Sequence, residues 1–283
     1  MKLLVFGKTG QVAKELQKAG PCMALGRDEA DLRNPQACAQ AVFTHRPNAV
    51  INAAAFTAVD RAETQEAAAS VINGEAPAAM ADAAARLGIP FLHISTDYVF
   101  SGAKDQPRMP DDIPAPINAY GRSKLAGEAG VVAAGGTYAI LRTAWVFSAH
   151  GSNFVKTMVR LGNERSALSV VEDQVGGPTP AAGIAAALLT MAGAMHKGGG
   201  KSGIYHYAGT PAVSRKAFAE EIFSQTGQQV TLTGITTANY PAPAARPLNS
   251  RLDCRSLATV FGIPQPDWRS ALVQVLSELE AAK

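Results

Sequence analysis

Leu3-Leu4-Val5-Phe6-Gly7-Lys8-Thr9-Gly10-Gln11-Val12-Ala13 stands at the head of the chain. The apolar run Leu3–Phe6 reads as a short buried strand that Gly7 ends. Gln11–Ala19 reads as the helix that follows, stopped by Gly20-Pro21. Gly7 permits a tight turn, Gly10 lets the backbone approach a pyrophosphate, and Ala13 keeps the helix close to the sheet. The helix then points its N-terminus, with Gln11 and Val12 as first residues, at the phosphates. A Gly-x-x-Gly-x-x-Ala run occurs in many tight turns. Placed between a strand and a helix, it meets the context a dinucleotide fingerprint requires.

The same alternation continues outward from this turn. Cys22–Leu25, Ala49–Asn52, Phe91–Ser95 and Tyr138–Arg142 read as further strands. Pro35–His45, Glu66–Leu87 and Tyr120–Ala134 read as helices, with a kink or break in the second at Gly74 and Pro77. Gly102 and the prolines 107, 110, 114 and 116 make Ser101–Pro116 a loop. Strand and helix in turn predict a parallel sheet with right-handed crossovers. The fold class is therefore α/β: a Rossmann-type, doubly wound parallel sheet with a smaller, discontinuous C-terminal lobe. Beyond Trp145 the alternation weakens. We assign residues 1–147, with part of 178–204, to the dinucleotide-binding domain, and 148–177 and 205–283 mainly to the lobe.

Bulk properties narrow the function. The 283 residues are 47% apolar and 17% charged, enough to build a large core without staples. A net charge of +3 gives no reason to propose nucleic acid or membrane binding. Cys22, Cys38 and Cys254 show neither metal-ligand spacing nor a disulfide framework, which fits a reducing cytoplasm. No apolar window reaches the length of a membrane span.

Chemistry is carried by two segments, His93-Ile94-Ser95-Thr96-Asp97-Tyr98 and Tyr120-Gly121-Arg122-Ser123-Lys124. Helical spacing puts the Tyr120 phenol and the Lys124 ammonium one turn apart on one face. A cation beside the phenol is expected to lower its pKa toward neutral, making Tyr120 a proton donor or acceptor. Of the strand-end hydroxyls, Thr96 is the candidate for holding a substrate oxygen and Ser95 for structure. His93 reads as a satisfied core residue, and Glu63–Glu66 as a solvated helix start. On the cofactor side, no acid stands at the tip of the second strand. Arg27 reads either as a contact to a 2′-phosphate, leaning toward NADPH, or as a solvated loop charge. Asp31 and Leu32 are placed near the adenine, and Ala53, Ala54 and Ala55 near the phosphates.

Further runs carry a resemblance: Asn52–Asp60, Arg142–Phe147, Asp173-Gln174-Val175-Gly176-Gly177-Pro178-Thr179 and Ala245-Arg246-Pro247-Leu248-Asn249-Ser250. With the two segments above, the chain resembles the extended short-chain dehydrogenases/reductases, and within them the dTDP-4-dehydrorhamnose reductase family. The resemblance implies NADPH-dependent reduction, with NADH possible, of the 4-keto group of dTDP-4-dehydro-6-deoxy-L-mannose to give dTDP-L-rhamnose. It makes Thr96, Tyr120 and Lys124 catalytic, the last two also facing the cofactor together with Thr57. It lines the nucleotide-sugar site with Asp97, Tyr98, Trp145, Gln174, Arg246 and Asn249, Arg246 being a candidate for the diphosphate. Rival readings are another nucleotide-sugar reductase or epimerase, or a non-catalytic regulatory subunit on this fold; the chain is a monomer or homodimer.

Two departures from the family pattern stand out. Phe56 replaces a usual tyrosine or histidine. Some relatives join two subunits through magnesium; Glu15 and Glu278 match two of its acidic positions, but the third falls near Ala181-Ala182. No metal site is expected.

Overall fold

The computed structural model describes residues 1–281. Its first half runs β1 (Leu3–Phe6), α1 (Gln11–Ala19), β2 (Met23–Leu25), α2 (Pro35–His45), β3 (Ala49–Asn52), α3 (Val59–Ala62), α4 (Glu66–Ser70), α5 (Ala76–Arg86), β4 (Phe91–Thr96), α6 (Ala119–Ala133) and β5 (Tyr138–Thr143). The second half runs β6 (Val146–Phe147), α7 (Phe154–Glu164), β7 (Ala167–Val171), β8 (Val175–Gly176), β9 (Thr179–Pro180), α8 (Ala181–His196), β10 (Gly203–His206), β11 (Val213–Ser214), α9 (Arg215–Thr226), β12 (Thr231–Ile235), β13 (Asn249–Ser250), α10 (Arg255–Phe261) and α11 (Trp268–Ala281).

The central sheet is six-stranded and parallel, in the order β2-β1-β3-β4-β5-β10. Alternate residues of β1 explain its two covered faces. Leu3 and Val5 pack with α1 and α8, whereas Leu4 and Phe6 pack with the α2 and α5 side. The chain leaves β1 for β2 on one side and later returns to β3 on the other. The strand order reverses between β1 and β3, and sheets of this type bind ligands in the crevice beyond the carboxyl ends of such strands.

The expected break near Gly74 takes the form of a π-helical turn, Val71–Glu75, joining α4 to α5. Such turns insert a residue into an α-helix and often mark functional sites. The second half holds more regular structure than its weak alternation suggested. Helices α7 and α9 start on Asn153 and Ser214, whose side chains accept from the N–H groups of Lys156 and Ala217. They enclose a separate apolar cluster around Phe147, Phe218, Trp268 and Leu272. Short pairings, β7 with β12 and β8 with β11 and β13, complete this region.

Candidate active site

The crevice at the switch point is built for close backbone approach. Gly7 has φ +104°, and a Cβ there would stand 3.1 Å from the Ala54 nitrogen. Only glycine takes that conformation cheaply. Gly10 caps α1 without a side-chain acceptor, leaving the first N–H groups of the helix free to meet an anion. Ala53, Ala54 and Ala55 follow β3 directly beside this turn. These features fit a dinucleotide pyrophosphate. The Gln11 side chain is otherwise engaged, accepting from Ser148 Oγ at 2.9 Å and Asn153 Nδ2 at 2.8 Å. Val12 is buried and offers the crevice only backbone.

At the tip of β2, an acid does stand where none was expected. Glu29 Oε2 accepts from Gly26 N–H at 2.9 Å and pairs with Lys8 at 3.1 Å. It was hidden by the turn that folds residues 26–30 back on themselves. Arg27 is exposed, Leu32 is buried, and Asp31 is tied to the Arg33 guanidinium at 2.6 Å. Thr57 is exposed on the loop after β3. That loop is fixed by Asn73 of the π turn, which bonds the Phe56 N–H and C=O at 2.7 and 3.0 Å and Ser123 Oγ at 2.9 Å. Asn73 was missed by sequence reasoning, since its partners lie 17 and 50 residues away.

Thr96, Tyr98 and Tyr120 meet where β4 ends against the first turn of α6. A single close approach sets this junction: a Cβ on Gly121 would stand 2.2 Å from the Tyr98 carbonyl oxygen. The Tyr98 and Tyr120 rings meet edge to face, centroids 5.6 Å apart. Thr96 Oγ1 bonds Asp97 Oδ1 at 3.0 Å. The start of α6 is held by Asn118, which accepts from Gly121 N–H at 2.7 Å. Glu63 accepts from Ala119 N–H at 2.8 Å, and Glu66 grips Arg122 at 2.7 Å. The Glu63–Glu66 run is thus no merely solvated helix start; it anchors the helix that carries Tyr120.

The expected acidification of Tyr120 is not found. Burial pushes its pKa up, with the hydrogen bond to the Thr96 hydroxyl acting the other way. Lys124 does not lower it because its ammonium is engaged elsewhere, 2.7 Å from the Ile94 carbonyl oxygen and 3.1 Å from His93 Nε2. Burial lowers the Lys124 pKa to about 8, Glu128 opposing. His93 is satisfied by Asn52 Nδ2 at 3.2 Å, as a core residue should be, but it also helps to seat the lysine. Ser95 is structural: its hydroxyl donates at 2.5 Å to Glu128, which is clamped by Arg142 at 2.7 and 2.9 Å.

Among the residues expected to line the sugar nucleotide, Asp97 is 4% exposed and burial raises its pKa to about 6. Its Oδ2 has no partner among the described residues. Trp145 takes a left-handed backbone, φ +51°, with its indole against Gly176, where a Cβ would collide at 2.7 Å. Gln174 and Arg246 line one cavity of about 240 Å³ with Thr237 and Tyr240. Arg246 is bound to Asp60 at 2.8 Å. Asn249 is brought to the region, but its amide is committed to the carbonyls of Lys104 and Gln106 and to Arg251. Arg215, a residue the sequence pattern did not single out, lies over the Trp145 ring.

Glu15 and Glu278 do come together, with His150 as a third group; their ligand atoms lie within 4.8 Å of one another. Ala181 and Ala182 line the same cavity without a ligand, and Lys18 pairs with Glu278 at 2.5 Å. An imidazole and an ammonium suit magnesium poorly, since that ion demands oxygen ligands. These residues do not fit a magnesium bridge.

A parallel switch-point sheet, a glycine turn into α1 and a strand-end threonine facing a Tyr-x-x-x-Lys helix define an oxidoreductase of the short-chain dehydrogenase/reductase type. Over residues 1–281 the chain matches the family described as RmlD substrate binding domain. It is 43% identical to a dTDP-4-dehydrorhamnose reductase of Sinorhizobium fredii over 281 residues, spanning 96% of this chain and 95% of that one. It is 37% identical to the Escherichia coli enzyme of that name, spanning 99% and 98%. A crystal structure of a dTDP-4-dehydrorhamnose reductase from Clostridium acetobutylicum superposes with TM-score 0.92 at 37% identity, covering 99% of this chain and all of that one. One from Bacillus anthracis in complex with NADP also gives 0.92, at 35% identity, covering 98% and 100%. The chain belongs to the dTDP-4-dehydrorhamnose reductase family.

Proposed function

We propose that the chain reduces the 4-keto group of dTDP-4-dehydro-6-deoxy-L-mannose, giving dTDP-L-rhamnose with NADPH as the reductant. The convergence of Thr96, Tyr98 and Tyr120 at the end of β4, beside the glycine turn, carries this reading. Bound in the crevice, the nicotinamide supplies a hydride to the carbonyl carbon. Gly7, Gly10 and Ala53–Ala55 would hold the pyrophosphate, and Lys124 the nicotinamide ribose. Lys8, beside Glu29 at the tip of β2, offsets a carboxylate that would repel a 2′-phosphate.

The protein's own part is to hold the ketone and deliver a proton. Thr96 donates a hydrogen bond to the carbonyl oxygen, and Tyr120 transfers its phenolic proton as that oxygen becomes an alkoxide. A raised pKa keeps Tyr120 protonated until then, and an alkoxide is a far stronger base than a phenolate. Solvent then returns the proton to Tyr120. Asp97, Tyr98 and Trp145 line the sugar, and Gln174 and Arg246 the nucleotide. Every group named belongs to this one chain, which fits either a monomer or a homodimer. No helix among the described residues is long and apolar enough to cross a membrane. Three free thiols support a cytoplasmic setting.

Incubation with the keto sugar nucleotide and NADPH or NADH, followed by absorbance, tests the reading. Oxidation of both is expected, faster with NADPH. Tyr120→Phe should lose roughly 10²- to 10⁴-fold in turnover, the usual worth of a general acid. Tightly held NAD with no net NADPH consumption would favour an epimerase instead. No turnover with intact partner binding would favour a regulatory subunit.

A further inference from the structure

Arg215 opens α9, directly after its Ser214 cap. Its guanidinium carbon lies 3.6 Å from the centre of the Trp145 ring and 5.3 Å from that of Phe154. A cation so close to an indole face is held by the ring quadrupole, while the N–H donors around its edge stay available. Among the described residues no carboxylate pairs with them and no side-chain acceptor takes them. The group lies near the candidate site: it stacks on Trp145, whose indole lies against Gly176, and Tyr98, Asp97 and Arg246 are near enough to act on its charge. Burial lowers its pKa to about 10, so it remains a cation at neutral pH.

Position narrows what could satisfy it. The Arg215 N–H donates to the Gln174 carbonyl at 3.2 Å, next to the cavity that Gln174 and Arg246 line. Asp97 and Tyr98, at the reactive end, are also near enough to act on its charge. Arg215 therefore lies between the sugar end and the nucleotide end. Arg246 is less available, since Asp60 and the Ala244 carbonyl already take its donors at 2.8 and 2.9 Å. A partly buried cation without a direct ion-pair partner is costly to keep. The one strongly anionic group of a nucleotide sugar, its diphosphate, sits between sugar and nucleoside.

We propose that Arg215, stacked flat on Trp145, clamps the diphosphate of the substrate and so selects nucleoside-diphosphate sugars over free sugars. The planar fork matches two phosphate oxygens at once, and the indole beneath it fixes the plane of approach. This inference rests on the nucleotide-sugar reading of the site.

Calorimetric titration of dTDP and of thymidine into wild type, Arg215→Gln and Arg215→Lys tests it, with NADPH binding measured on the same preparations. Arg215→Gln should weaken dTDP roughly 10- to 100-fold, the usual worth of a charged hydrogen bond. Thymidine and NADPH should bind as to wild type, and Arg215→Lys should fall between, keeping charge without the fork. Equal dTDP affinity in wild type and Arg215→Gln would overturn the proposal. So would a parallel loss of thymidine or NADPH affinity in both variants, which reports a rearranged pocket. Wild-type protein that binds NADPH but not dTDP would instead sink the underlying substrate reading.

Discussion

Lys124 Nζ lies 3.1 Å from His93 Nε2, and both side chains are buried. Strand β4 therefore seats the lysine from behind, through His93 and the Ile94 carbonyl, while α6 delivers it beside the crevice. Its pKa is about 8 in the folded protein against 10.5 ordinarily. Between those values the unfolded chain holds the proton that the folded one releases, so this group makes stability rise with pH. Urea titrations of wild type and Lys124→Met at pH 7 and pH 10.5 should show wild type gaining about 3 kcal/mol relative to the variant across that interval. A constant difference would mean that the ammonium is not desolvated in the fold.

Asp97 works in the opposite direction. Its pKa rises from 3.8 to about 6 on burial, so the unfolded chain ionises first and stability falls as pH climbs through that window. At pH 7 the penalty is fully present, about 3 kcal/mol at most. Asp97→Asn should melt higher than wild type at pH 7 and no higher at pH 3.5, while losing activity. A variant that melts lower at pH 7 would show that the carboxylate is compensated.

The Glu128–Arg142 pair joins α6 to β5, with Ser95 on one side and the Pro110 carbonyl, 3.1 Å from Arg142 Nη1, on the other. Glu128→Ala strands a buried guanidinium and should cost about 3–5 kcal/mol. Replacing both with apolar residues of similar volume should cost far less. Denaturant midpoints of the two single variants and the double variant measure this; additive losses would contradict it.

Gly121→Ala should fold poorly or shift α6 away from the Tyr98 carbonyl, because the added methyl would sit 2.2 Å from that oxygen. Turnover should fall at least tenfold, since small misplacements of reacting groups are expensive. Wild-type kinetics in Gly121→Ala would show that the junction is slack.

What could be read in advance was what repeats or neighbours in sequence. The Gly7–Ala13 turn, the strand ends and the Tyr120–Lys124 pair are local patterns, and the fold and the chemistry follow from them. Contacts between distant segments were hidden. Lys124 was expected to serve Tyr120, yet its partners come from β4, 30 residues away. Arg215 gains meaning only once Trp145 lies beneath it. Asn73 and Glu63 looked like ordinary helix residues, because nothing nearby in sequence announces that they hold the β3 loop and the start of α6. Helix α9 was missed because its apolar residues are spread around the helix, whereas α7 carries a clear amphipathic pattern that the surrounding glycine- and polar-rich sequence obscured.

The glycines on the inner face of α6 have one more consequence. A Cβ on Gly127 would come within 2.1 Å of the Asn73 carbonyl oxygen, and one on Gly130 within 2.5 Å of the Ala78 methyl. The α6 backbone lies against the Asn73 carbonyl of the π turn and the Ala78 methyl, so a slide or roll of the helix would disturb both contacts. Tyr120 and Lys124 thus ride on a platform whose alignment is completed while the chain folds. Each catalytic cycle begins with that entropy already spent, and whatever must adapt to an arriving sugar nucleotide has to be found on the opposite wall.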